Sequence, residues 1–110
     1  CDSDGNVAFD GRLMFIGMST FTDGDTTPTV GGASTIFIAG NTCGTSISNF
    51  DDGTNGQIII IKATNANTTF VHDSVKIVLS GNTNWNIPSG HAIIFVRISG
   101  VWIEIGRTGT

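Results

Sequence analysis

Short runs of alternating apolar and polar residues recur along the 110-residue chain, and most are separated by Gly, Asn or Asp. Alternation with a period of two is typical of a strand with one buried face, while Gly, Asn and Asp favour tight turns. The pattern therefore predicts a succession of short strands. They span residues 7–9, 13–16, 34–39, 46–50, 57–63, 68–72, 75–79, 92–98 and 101–105.

The last two predicted strands form a β-hairpin, because only Ser99 and Gly100 separate them. A two-residue loop fixes the register, and one face of this hairpin is then entirely aliphatic, as expected of a core face. Its cross-strand pairs are Ile98 with Val101, Val96 with Ile103, and Ile94 with Ile105. The opposite face mixes apolar and charged side chains, which predicts cover by something other than the chain's own core.

Four consecutive isoleucines, residues 58–61, leave apolar side chains on both faces of another strand. Two such strands exceed what a small sandwich can cover, because a sandwich buries one face of each sheet. We therefore predict an oligomer whose outer faces meet; a central strand of a closed barrel is the alternative. The predicted interface residues are Ile59, Ile61, Ile93, Phe95, Arg97 and Trp102.

The composition supports an all-β fold. Ile, Val and Thr together supply 37 of the 110 residues, whereas the good helix formers Leu, Ala, Glu and Gln are scarce. We predict an antiparallel, jelly-roll-like β-sandwich that forms a homotrimer. The predicted organisation is an N-terminal β segment at 1–22 that joins an upstream region, a linker or loop at 23–33, and the trimerisation sandwich at 34–110.

The net charge and the small number of candidate catalytic residues disfavour several classes of function. Five Lys and Arg residues and a net charge of −4 disfavour nucleic acid as a partner, and the longest aliphatic run is too short for membrane insertion. The chain has one Glu, and His72 and His91 lie far apart in the sequence with no partner pattern, so we predict no enzyme and no cofactor. Calcium binding by Asp2, Asp4, Asp23 or Asp25 is a third-ranked hypothesis behind ordinary turn roles, and no metal site is predicted.

The two cysteines leave three interpretations open. Cys1 is expected to begin an excised piece of a larger protein, but it could also carry a lipid or form a disulfide with Cys43. The sequence does not decide the redox state of either thiol.

A polar loop around a tryptophan offers a candidate glycan site. Sugar sites commonly combine an aromatic plane with amide or carboxylate groups that bind hydroxyls. The candidate residues are Asn82, Asn84, Trp85 and Asn86. The alternative, held equal, is a buried Trp85 that closes one end of the core.

Several motifs resemble the C-terminal segments of bacteriophage tailspikes and tail fibres. They run from Asp4-Gly-Asn-Val-x-Phe-x-Gly-x-Leu through Asp25-Thr-Thr-Pro-Thr-Val-Gly-Gly, Ile36-Phe-Ile, Thr45-x-Ile-x-Asn-Phe-Asp-Asp-Gly, Gly56-Gln-x-Ile-x-Ile, Thr68-Thr-Phe-Val-His and Ile77-x-Leu-x-Gly to Gly100-Val-Trp-Ile-Glu-Ile-Gly-Arg107. They are motifs of turns and strands rather than of chemistry.

The resemblance implies a non-enzymatic domain at the distal end of a homotrimeric protein of the virion tail, outside the cell, which stabilises the trimer and in some cases contacts bacterial surface polysaccharide. In the tailspikes, polysaccharide cleavage belongs to an upstream β-helix of stacked coils, and we expect this chain to lack such coils. A carbohydrate-binding sandwich of a secreted or surface protein is the alternative function.

Overall fold

A computed structural model describes Phe15 and residues 17–108 of the chain. This part is all-β, apart from one 3-10 turn at Ser80–Asn82. The strands are β1 (Met18–Thr20), β2 (Ile36–Ala39), β3 (Thr45–Ile47), β4 (Ile58–Ala63), β5 (Thr68–Phe70), β6 (Ile77–Val78), β7 (Trp85–Asn86), β8 (Ala92–Ile98) and β9 (Val101–Arg107). The predicted segments at 1–14 lie outside the described residues.

The strands form two sheets that share one core. The larger sheet has the order β1-β2-β4-β8-β9-β6, and the smaller has the order β3-β5-β7. Since β3 lies in the smaller sheet, the chain leaves the larger sheet after β2 and returns to it as β4, which pairs parallel to β2. Ile36 thereby lies beside Ile60, and Thr45 lies beside Thr68. Consecutive turns of chain are thus stacked as coils.

This topology confirms the all-β prediction and corrects its detail. Parallel pairing joins β1 to β2, β2 to β4, β3 to β5 and β6 to β9, so the prediction of an antiparallel sandwich is wrong for these pairs. The described part also contains stacked coils, which the strand pattern of the sequence did not predict. The reason is that most neighbouring strands are joined through the opposite sheet rather than by hairpin turns.

The predicted hairpin is present at β8 and β9. Both turn residues have positive φ, 52° at Ser99 and 81° at Gly100, as a type I′ turn requires. The pairs Ile98–Val101 and Val96–Ile103 are confirmed. The third predicted pair is wrong, because a register shift at Ile94 and Phe95 sets Ile94 opposite Gly106 and leaves Ile105 as the extra residue of a bulge.

The core lies on the hairpin face that was predicted to be the interface. Ile59, Ile61, Ile93 and Phe95 have no exposed surface, and Trp102 is 1% exposed. Their choice as interface residues is therefore wrong, because the chain itself buries them. The large aromatic side chains bury the most area, which favours the face that carries Phe95 and Trp102 for the interior.

The predicted linker or loop at 23–33 is a loop of the same folded unit. Val30 is fully buried, and Thr29 forms a parallel bridge with Asp51. The ring of Phe21, just before this stretch, stacks on Phe37 with 5.1 Å between centroids. The described residues before position 34 thus form the first coil of the stack rather than a separate segment.

A buried polar ladder joins three successive coils. The side chain of Asn41, 3% exposed, accepts the Gly24 N–H at 2.8 Å and donates to the Thr68 hydroxyl at 2.8 Å. The carbonyl oxygen of Asn41 accepts the side-chain amides of Asn65 and Asn67, at 2.9 and 2.8 Å. These bonds satisfy polar groups at the corner where each coil leaves the larger sheet.

Candidate functional site

The solvent-facing side of the larger sheet is a broad apolar surface, which we call the outer face. Its side chains alternate with the buried ones and lie side by side across the strands, as Ile36, Ile60 and Ile94 do. Most of them are half-buried by their neighbours, and Ile58 (43%), Ile98 (51%), Ile105 (56%) and Met18 (68%) are more exposed. The outer face consists of Met18, Ile36, Ile38, Ile58, Ile60, Val78, Ile94, Val96, Ile98, Val101, Ile103 and Ile105.

The strand charges almost all turn away from this face. In the described strands, Lys62 is the one charged residue on it, near the end opposite the hairpin turn. Arg97, Glu104 and Arg107 share the side of the sheet that carries the core. Arg97 lies beside Trp102 across the hairpin and donates to the Gly53 carbonyl at 3.0 Å. The usual arrangement of a water-facing sheet, with charges outside, is thus reversed.

The residues predicted to bind glycan occupy the end of the core. Trp85 is 8% exposed, and the guanidinium of Arg107 lies 4.0 Å from its ring centroid. Asn84 accepts the His72 N–H at 2.8 Å, and Asn86 donates to the Ala66 carbonyl at 3.0 Å. This geometry fits the alternative in which Trp85 closes the core. Glycan binding by Trp85 with Asn82, Asn84 and Asn86 stays a prediction.

Glu104 anchors the charged margin of the core. Its side chain is 3% exposed, and each of its oxygens accepts a bond of 2.6 Å from Arg107. Oε1 also accepts the Ser80 N–H at 2.9 Å. Burial by itself would raise the pKa of Glu104, but the bonds from Arg107 and Ser80 outweigh it and lower the pKa below its ordinary 4.5. The same pairing raises the pKa of Arg107.

Acid is therefore expected to destabilise the protein in part through Glu104. Because the pKa is lower in the folded state, the unfolded chain takes up the proton first; the stabilisation is complete above pH 4.5 and is lost as the pH falls below it. Glu104→Gln should cost about 1–2 kcal/mol at pH 7 and give a shallower loss of melting temperature between pH 6 and 3. Lys76→Gln, which alters an exposed charge elsewhere, is the control. Parallel curves for wild type and Glu104→Gln would contradict this role.

The remaining candidate groups have structural partners. Asp23 accepts the N–H and the hydroxyl of Thr42, at 2.9 and 2.7 Å, and these bonds lower its pKa. Asp25 accepts the Thr27 N–H at 2.9 Å, as a turn residue does. Asp2 and Asp4 lie outside the described residues. Within Phe15 and residues 17–108, no group of three His, Cys, Asp or Glu side chains is arranged to hold a metal ion.

A groove with a volume of about 350 Å³ lies between the turns that precede β2 and β4. Its polar side chains are engaged with the chain itself. Asp52 accepts the Thr29 hydroxyl at 2.6 Å, and Gln57 bonds the Val30 carbonyl and the Thr54 N–H. The groove therefore joins consecutive coils and assembles no nucleophile with a base.

No protein-family model, curated protein or solved structure matches this chain. The described residues contain no helix that is long and apolar enough to cross a bilayer. The function must therefore be inferred from the structure of the chain itself. The most distinctive feature of that structure is the outer face.

Proposed function

We propose that this chain is a non-enzymatic domain of a bacteriophage tailspike or tail fibre, which joins identical chains as a homotrimer in the virion tail. The outer face is the observation that carries the proposal. A sheet that is apolar on both sides, with its charges on the core side, needs a second layer. The turn and strand motifs that resemble phage tail proteins supply the context.

The mechanism of such a domain is burial. Apolar surface removed from water stabilises by roughly 25 cal/mol per Å², so a contact of a few hundred Å² per chain outweighs the fraying of any single strand. Stacked coils suit this role, because each coil's backbone groups pair with the next and hold the strands of the outer face in register. The polar ladder at Asn41 fixes the spacing of the coils behind that face.

The proposal predicts the mass of the protein in solution. Size-exclusion chromatography with light scattering, at micromolar concentrations, should give a mass near three times that of one chain. Dilution through the nanomolar range, followed by fluorescence anisotropy of a labelled chain, then reports the affinity. The mass of a single chain at every concentration would contradict the proposed function.

A further inference from the structure

We infer that the outer face is the surface through which copies of this chain bind one another, with the outer faces of three copies meeting around the axis of the trimer. This inference rests on the proposed function and deepens it, because it names the residues that meet. It also reverses the face predicted from sequence, where Ile93, Phe95 and Trp102 were expected at the contact.

The chemistry of the face is that of a protein core. Eleven of its twelve side chains are Ile or Val, and aromatic residues and Arg, which are enriched in interfaces between independently folded partners, are absent from it. Interfaces between permanently associated copies resemble a core cut in half. Ile and Val are also stiff at χ1, so ordering them at a contact costs little side-chain entropy.

The distribution of charge favours a second copy of this chain over other kinds of partner. The chain has a net charge of −4, while its outer face carries only Lys62. An acidic or basic partner would find a single group to pair with. An equally uncharged surface is the complementary one, and the chain's own outer face meets that requirement.

The area of the outer face is compatible with a small interface between copies of the chain. Four central strands at a spacing of about 4.8 Å, with an average length of about 20 Å, present roughly 400 Å² before side-chain relief is added. That lies within the range of the largest apolar patches on soluble monomers, about 300–600 Å², which are often functional. Three copies that each contribute this surface bury roughly 1,200 Å² of it in all, which equals the lower limit of the total area that stable interfaces bury.

The face has two unlike ends, which limit how copies can meet. Ile98 and Val101 lie at the hairpin turn, whereas Thr20, Lys62 and Ala92 lie at the opposite end. We therefore place the centre of the contact on the two rows between, around Ile60 and Ile94 and around Ile58 and Val96. Lys62 lies at the rim, where its ammonium group can reach water.

Aspartate scanning tests the inference with a matched control. Ile60→Asp changes the centre of the face, and Ile58→Asp and Ile105→Asp change its more exposed positions, where the fold of one chain should tolerate a charge. Val75→Asp is the control, because Val75 is 67% exposed but lies in a loop outside the face. Circular dichroism verifies that each variant keeps its β-structure, and light scattering at equal concentration gives its mass.

We expect the three outer-face variants to run at one third of the wild-type mass and Val75→Asp to keep the wild-type mass. A wild-type oligomer that survives all three changes would overturn this inference and leave the proposed function standing. A monomeric wild type would overturn both. Co-flotation of that monomer with neutral phosphatidylcholine vesicles, lost in Ile58→Asp, would assign the face to lipid instead.

Discussion

Replacing Phe50 with alanine is expected to lower the free energy of unfolding by about 3–5 kcal/mol. Phe50 is 4% exposed and lies at the centre of an aromatic cluster between the two sheets. Its ring centroid is 5.5 Å from those of Phe95 and Trp102, 6.1 Å from that of Phe21 and 6.4 Å from that of Phe70. Truncation would therefore leave a cavity whose walls belong to several different segments, none of which can move in alone.

The loss is a large fraction of the roughly 5–15 kcal/mol that ordinarily separates folded from unfolded domains. A fall in melting temperature of roughly 10–30 °C should accompany it. Guanidinium titration at a fixed protein concentration measures the free energy, because association would otherwise shift the midpoint. Phe15→Ala is the matched control: the same truncation at a 43% exposed ring should change stability by less than about 0.5 kcal/mol. Equal effects of the two changes would contradict the central position of Phe50.

The features that sequence predicted well are local ones. The hairpin turn at Ser99 and Gly100 was predictable because two residues leave few ways to reverse a chain, and the strands at 57–63 and 92–98 because their β-branched residues are dense. The same local rules do not reveal which face of a strand is buried when both faces are apolar. That choice was made by packing between distant segments, above all by Phe50 against Phe95 and Trp102.

The stacked coils were not predicted because successive coils share the spacing of their strands but few identical residues. Ile36, Asn41 and Thr45 occupy the places that Ile60, Asn65 and Thr68 take in the next coil, and β2 and β4 pair parallel as a result. An aliphatic strand followed by Asn and then Thr, repeated in the next coil, was the available signal. Asp, Asn and Gly are so frequent in this chain that the repeat resembled ordinary turns.

The positions of the charged residues on the hairpin strands could have identified the outer face. The hairpin face that carries Arg97 and Glu104 was predicted to be covered by something other than the chain's own core, because charge on a strand usually indicates a face outside the core. In the structure these charged residues lie at the margin of the core, where Glu104 pairs with Arg107 and Arg97 donates to a backbone carbonyl. A strand charge indicates solvent only where no partner for it lies within reach.

The polar ladder predicts the second large loss of stability. Asn41→Ala removes the acceptor of the part-buried Gly24 N–H and the donor to the buried Thr68 hydroxyl. Thr68 is fully buried, so its hydroxyl would lose its side-chain donor in the interior as well. A buried polar group left unpaired costs about 1–3 kcal/mol; because the Thr68 hydroxyl is buried whereas water can reach Gly24, Asn41→Ala is expected to cost roughly 2–3 kcal/mol in all.

A double-mutant cycle with Thr68→Val separates pairing from packing. Valine has nearly the shape of threonine but lacks the hydroxyl. Thr68→Val alone should therefore leave the Asn41 side-chain amide without its acceptor, at a cost of about 1–2 kcal/mol. In the double variant neither group of that pair remains, and its loss should therefore be smaller than the sum of the two single losses by at least about 0.5 kcal/mol. Strict additivity in guanidinium titrations would mean that the Asn41–Thr68 bond does not couple the coils. Sub-additive losses would show that a polar bond in the interior holds the coils in register behind the outer face.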